Sequence, residues 1–169
     1  KIVVYLPFEQ IDDILFMLDP FVNHDFYVYH RFDRAEDCGP VHLRPYSRSG
    51  FLRDLNECNG VISNAGFELL SEAIHLGKKL LIKPLSGQME QLSNALVISK
   101  MNFGRIMKKL NRDSVDQFLL DEAQMPVRYP NVAQLAACWI ESGNWEDVDG
   151  LAQASWKKVQ SHYQDPPMK

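Results

Sequence analysis

The stretch from Gly60 to Gly104 constrains the fold more than any other part of the sequence. A short apolar strand at Val61-Ile62 runs into a small-residue turn, Asn64-Ala65-Gly66. The pattern then predicts a helix, a buried strand over Leu80 to Ile82, and a loop with Pro84 and Gly87. A second helix opens with Gln88, Glu90 and Gln91. Two helix N-termini are thereby set beside the carboxyl ends of two parallel strands. Helix N-termini carry unpaired N–H groups and the positive end of the helix dipole, so they attract phosphate. The strand ends of open α/β sheets form ligand crevices.

The flanking sequence extends this alternation. Ile2 to Leu6 is a continuous apolar run stopped by Pro7, as expected of a buried strand. Ile11, Ile14, Leu15 and Leu18 recur at helical spacing, with Asp12 and Asp13 in the first turns. Phe26 to Tyr29 is aromatic and β-rich, residues 31–40 are polar and end in Gly-Pro, and Val41 to Leu43 is a short strand. Ser47 or Ser49 is placed to cap a helix carrying Phe51, Leu52 and Leu55, and Arg105 to Met107 is the last strand. The order predicts an α/β fold with a doubly wound parallel sheet.

Residues 111–169 read as a helical tail. One helix covers Ser114 to Glu122. A second starts at Pro130-Asn131 and carries Val132, Leu135, Ala136, Trp139 and Ile140. A third is capped by Asn144, carries Trp145, Val148, Leu151 and Ala152, and continues towards Tyr163. The expected organisation is one domain over 1–169, with a core at 1–110, the tail at 111–169, and a frayed end from Asp165 to Lys169.

Composition narrows the function classes. Of 169 residues, 46% are hydrophobic, enough for a sizeable core. The net charge of −4 and the lack of a long basic run argue against nucleic acid as a partner. Cys38, Cys58 and Cys138 are odd in number and far apart, so a disulfide framework is not expected and a reducing compartment fits. His24, His30, His42 and His162 show no triad or metal spacing, His75 reads as a surface histidine, and no metal is expected. No apolar run reaches the roughly 18–20 residues of a membrane span.

Ser63-Asn64-Ala65-Gly66, Ser71-Glu72-Ala73, Gly77-Lys78, Pro84, Glu90-Gln91 and Asn94-Ala95, in this order and spacing, carry a family likeness. The segment resembles the donor half of GT-B glycosyltransferases. It is most similar to the UDP-sugar enzymes of family 28, which include N-acetylglucosamine transferases. The likeness is strong over 60–104, extends in layout over 1–59, and weakens after about residue 110. It implies a Rossmann-like domain that binds a nucleotide sugar, with no separate cofactor. Because Lys1 enters a strand at once, the expectation is that an N-terminal acceptor half precedes this chain. That half would supply the catalytic base, the contact with the acceptor, and any peripheral contact with a membrane.

Site residues follow from residue chemistry and from the likeness together. Glu68, Ser71, Glu72 and His75 fall on one strip of their helix, opposite an apolar arc. A carboxylate there can accept from both ribose hydroxyls. The likeness implies that role for Glu72, whereas spacing alone favours a solvated helix glutamate. Gly66 and the amides of Phe67 and Glu68 are candidates to hold the diphosphate with Asn64. Gly66 could also serve only the turn. Glu68 departs from many relatives, which carry a hydroxyl residue near this helix start.

The likeness further implies that Glu90 and Gln91 bond the donor sugar. Asn94 shares a face with Gln91, and Gly87 and Gln88 lie in the adjoining loop. Tyr46 and Ser47 stand where relatives hold the base. After Leu6 comes Pro7-Phe8-Glu9, a departure from the Gly/Ser-rich loop of peptidoglycan-type relatives. The leading expectation is an inverting glycosyltransferase that uses a UDP-linked donor and an unknown acceptor, in the cytoplasm or at the inner face of the membrane. A UDP-N-acetylglucosamine 2-epimerase-like enzyme and a non-catalytic nucleotide-sugar-binding domain remain alternatives.

Overall fold

Four apolar residues in succession at Ile2–Tyr5 demand cover on both sides, and that places this strand at the centre of a sheet. The computed structural model describes residues 1–157. Its elements are β1 (Ile2–Tyr5), α1 (Ile11–Leu18), β2 (Phe26–Tyr29), β3 (Glu36–Cys38), β4 (Val41–Arg44), α2 (Arg48–Glu57) and β5 (Gly60–Asn64). These are followed by α3 (Phe67–His75), β6 (Lys79–Lys83), α4 (Met89–Lys100), β7 (Gly104–Ile106), α5 (Arg112–Leu120), α6 (Val132–Ser142) and α7 (Val148–Lys157). The sheet order is β3-β4-β2-β1-β5-β6-β7, and every pairing except β3 with β4 is parallel. This is the expected doubly wound α/β sheet with a helical tail.

Side-chain alternation divides the core in two. Ile2, Val4, Phe26, Val28, Ile62 and Leu81 point to one face, where α1 and α5 cover them through Ile14, Met17, Leu18, Val115 and Phe118. Val3, Tyr29, Val61, Leu80 and Ile82 point to the other, under Leu55 of α2, Leu70 and Ile74 of α3, and Ile98 of α4. Each fully buried aliphatic or aromatic side chain contributes about 1.5–3 kcal/mol. The helix expected over Ser114–Glu122 is therefore α5, and Val115 and Phe118 make it part of this core.

Two details differ from the sequence expectation. Residues 31–40 are not all loop, because β3 lies among them. Glu36, Asp37 and Cys38 are exposed and polar, so no alternation marks them. Asp37 holds β3 to β4 by bonding His42 Nδ1 at 2.8 Å and Arg44 Nη1 at 2.8 Å. A short charged edge of this kind also blocks further strand pairing. The second difference concerns α7, whose start is held by Asp147 and not by Asn144: Gly150 N–H donates to Asp147 Oδ1 at 2.9 Å.

Residues 1–127 form one compact unit, and a second begins at Arg128. In the second, Asn131 caps α6 by accepting from Gln134 N–H at 3.0 Å, and α6 ends on Gly143 in the left-handed region. The continuation of the last helix to Tyr163 and the end from Asp165 to Lys169 lie outside the described residues. Among the described residues no helix is long and apolar enough to cross a membrane, and no group of three His, Cys, Asp or Glu could hold a metal ion.

Candidate functional site

The chain passes from β1 to β2 and β4 on one side, then returns to pair β5 with the other edge of β1. The sheet therefore changes direction between β1 and β5, and the loops after these two strands diverge. A crevice is expected outside their carboxyl ends. A cleft of about 360 Å³ lies there, between Tyr5, Pro7 and Phe8 after β1, Asn64 and Gly66 after β5, the first turn of α3, and Glu90 and Gln91 of α4.

The start of α3 forms the floor of this cleft. Gly66 is its N-cap and no side chain caps the helix. The first-turn amides thus face the cleft without a side-chain partner, and they suit an anion. Gly66 has φ −68° and ψ 132°, a conformation open to any residue. A Cβ placed on Gly66 would meet no atom within 4 Å among the described residues. Neither the turn nor the packing requires glycine at this position. Gly77, which ends α3, is the contrast: its φ is +68°, and a Cβ there would come 2.7 Å from Gln124 O.

Amide side chains shape the walls. Gln91 is buried, and its Oε1 accepts from Ala65 N–H at 3.2 Å and from Leu85 N–H at 3.1 Å. It joins the loop after β5 to the loop after β6 and leaves only its NH₂ for other partners. Asn94 Nδ2 donates to Ala65 O at 3.1 Å from behind the same loop. Asn64, 6% exposed, donates from Nδ2 to Lys83 O at 2.9 Å. Its Oδ1 is buried without a partner among the described residues.

Asn64, Gly66, Phe67, Glu68, Glu90 and Gln91, all expected at the site, do line one cleft. Glu72 lies one turn further along α3 and is exposed, outside the lining. Two other members of its strip bond backbone: Ser71 Oγ donates to Glu68 O at 2.8 Å, and His75 Nδ1 lies 2.8 Å from Val127 O. Tyr46 reaches the site through Tyr5, edge to face at 6.2 Å between ring centroids. Ser47 caps α2 by accepting from Gly50 N–H at 3.2 Å. Gly87 and Gln88 are exposed in the loop before α4.

Sequence reasoning missed Tyr5 and Leu69 as lining residues, and it read Pro7-Phe8 only as a departure. It also missed the pair formed by Lys83 Nζ and Glu9 Oε1 at 2.6 Å, which ties the end of β6 to the loop after β1. The one available signal was a lysine closing an apolar strand. Glu68 and Glu90 are the charged residues of the lining, and no Lys or Arg joins them. An anion in this cleft would be held by backbone dipoles with two carboxylates at the rim.

The profile of a family described as glycosyl transferase family 1 matches residues 1–123. A solved structure described as the glycotransferase of kitacinnamycin is similar, with a TM-score of 0.52 and 14% identity over 72% of this chain and 35% of that one. The glycosyltransferase SnogD from Streptomyces nogalater is similar with a TM-score of 0.55 and 16% identity over 72% of this chain and 34% of that one. At these identities the likeness is one of fold. The chain spans about a third of the length of each. None of the curated proteins matches it.

Proposed function

The chain belongs to glycosyl transferase family 1 and is a GT-B glycosyltransferase domain; from this we propose that the cleft between β1 and β5 holds the diphosphate of a nucleotide-sugar donor. The donor is UDP-linked, and transfer to an acceptor hydroxyl proceeds with inversion in a single displacement. The narrower resemblance to family 28 is carried by the sequence alone. The observation that carries the donor reading is Gly66, a glycine that neither backbone nor packing requires, set over uncapped helix amides in an open cleft. Those amides stabilise the departing diphosphate as its charge grows. Glu72 takes the ribose hydroxyls beyond the cleft mouth, Tyr46 lies towards the base, and the NH₂ of Gln91 with Glu90 faces the sugar. The proton of the acceptor hydroxyl goes to a base from another part of the protein.

Calorimetric titration with UDP, ADP and GDP, on the wild-type protein and on Glu72→Ala, tests this reading. Uridine-selective binding that weakens at least about tenfold in Glu72→Ala is the expected result, a loss of about 1.4 kcal/mol. A protein that binds none of the three nucleotides would overturn it.

A further inference from the structure

The loop Pro7-Phe8-Glu9 separates the donor cleft from a second one. Pro7 and Phe8 line the first, whereas Glu9 lines a cavity of about 550 Å³ on the side of the sheet covered by α1 and α5. Both open at the carboxyl ends of the strands. The second is bounded by Asp13 and Phe16 of α1, Lys83 and Ser86 after β6, and Lys108 to Arg112 after β7.

Its charge is opposite to that of the donor cleft. Glu9 is neutralised by Lys83 at 2.6 Å. Lys108, Lys109 and Arg112 then face one other carboxylate, Asp13, in a protein whose net charge is −4. Lys108 and Lys109 are exposed and form no ion pair among the described residues. Arg112 is fixed in place: Nη2 and Nε donate to Phe16 O at 2.7 and 3.1 Å, and the guanidinium lies 4.1 Å from the centroid of the Phe16 ring. Its Nη1 has no such partner among the described residues. A pre-oriented guanidinium with two flexible ammonium groups around a concave space suits an oxyanion approached from several directions.

We propose that this second cleft binds a phosphate-class oxyanion carried by the acceptor, beside the donor cleft and across the Pro7-Phe8-Glu9 loop. The acceptor assignment rests on the donor reading above; the anion site itself does not. An acidic acceptor is thereby drawn to the side of the sheet away from the donor diphosphate. The two anions do not compete for one helix terminus.

Amide chemical-shift titrations test it, with inorganic phosphate and UDP as separate probes, on wild type and on Lys108→Gln/Lys109→Gln. Phosphate is expected to shift the amides of Lys108 to Ser114 saturably, with affinity about tenfold weaker in the double variant. UDP is expected to shift Gly66 to Leu69 and to bind both proteins alike. A phosphate response that does not saturate, or that is identical in the double variant, overturns the proposal. Phosphate binding without UDP binding removes the donor reading and leaves the anion site standing. Phosphatidylcholine vesicles with and without phosphatidic acid separate the sources: sedimentation with the acidic vesicles, lost in the double variant, assigns a lipid-borne phosphate, and free phosphate binding alone assigns a soluble one.

Discussion

The phenol of Tyr29 donates to Asp54 Oδ2 across 2.6 Å, joining the end of β2 to the buried face of α2. Asp54 is 1% exposed and also accepts from Lys1 Nζ at 2.9 Å. Burial raises the pKa of this carboxyl, but the bonds from Tyr29 and Lys1 outweigh burial and leave it below the ordinary range. Burial first, and then the bond to Asp54, pushes the Tyr29 phenol up.

These directions fix a pH profile. The depressed Asp54 contributes stability that is complete above the unfolded carboxylate value and is lost as pH falls through the lower folded value, so the loss begins below about pH 4. The raised Tyr29 acts at the other end, because above about pH 10 the unfolded chain releases a proton that the folded chain keeps. Tyr29→Phe is expected to cost about 1.5–3 kcal/mol near neutrality, as for a bond to a charged group. It should also flatten both limbs, because it brings the folded value of Asp54 back towards the unfolded one and removes the phenol that titrates at the alkaline end. Urea denaturation across pH, followed by circular dichroism, checks this; unchanged limbs in the variant would contradict it.

Gln91 has two tasks that substitution can separate. Gln91→Ala leaves the N–H groups of Ala65 and Leu85 without an acceptor, and each unpaired buried donor costs about 1–3 kcal/mol. A substantial loss of stability is therefore expected along with any loss of donor binding. Gln91→Glu keeps the acceptor and removes the NH₂. It should hold stability closer to wild type while weakening nucleotide-sugar binding relative to UDP. Melting temperatures with paired titrations of UDP and a UDP-sugar decide the matter, and equal effects of the two variants on both readouts would refute the division.

Much of this arrangement was legible before the structure. The switch-point cleft follows from the order of strands and helices; Asn64 and Gly66 stand out by their places at a strand end and a helix start, whereas Glu90 and Gln91 stand out through the family likeness. The links across long sequence separations were hidden. Glu9 and Lys83 meet because β1 and β6 flank β5, a relation set by the sheet and not by any local pattern. The Gln91 bridge was hidden too, since a polar residue early in a helix looks solvent-facing until the neighbouring loop covers it. β3 escaped because its three residues are exposed and polar and carry no hydrophobic period, although a backbone ladder and the bonds of Asp37 hold it to β4.

Glu68 stands at the start of α3 on the rim of the cleft between β1 and β5, where its charge suits the helix dipole but would oppose the proposed diphosphate. Glu68→Gln should therefore tighten UDP binding by about two- to fivefold, or roughly 0.4–1 kcal/mol, and lower stability by a few tenths. The gain should shrink at high salt, because the rim is exposed and screened. Calorimetry at two ionic strengths checks both parts. Weaker UDP binding in Glu68→Gln would mean that this carboxylate contacts the ligand as an acceptor.

Gly66 offers the sharpest separation of fold from function. Its dihedral angles are those of an ordinary N-cap, and a Cβ there would meet no atom within 4 Å among the described residues. Serine fits this position and is a better N-cap than glycine, by a few tenths of a kcal/mol. In Gly66→Ser, the hydroxyl would accept from the first-turn amides of α3 and take the place of the phosphate oxygens. The expected outcome is a protein as stable as wild type or slightly more so, with UDP binding weakened at least about tenfold. Gly77→Ala provides the structural control: with φ at +68° and Gln124 O in the way, it should destabilise the fold while any folded protein still binds UDP. Thermal melts with UDP titrations of the two variants measure both effects. Undiminished UDP binding in Gly66→Ser would place the diphosphate away from the start of α3.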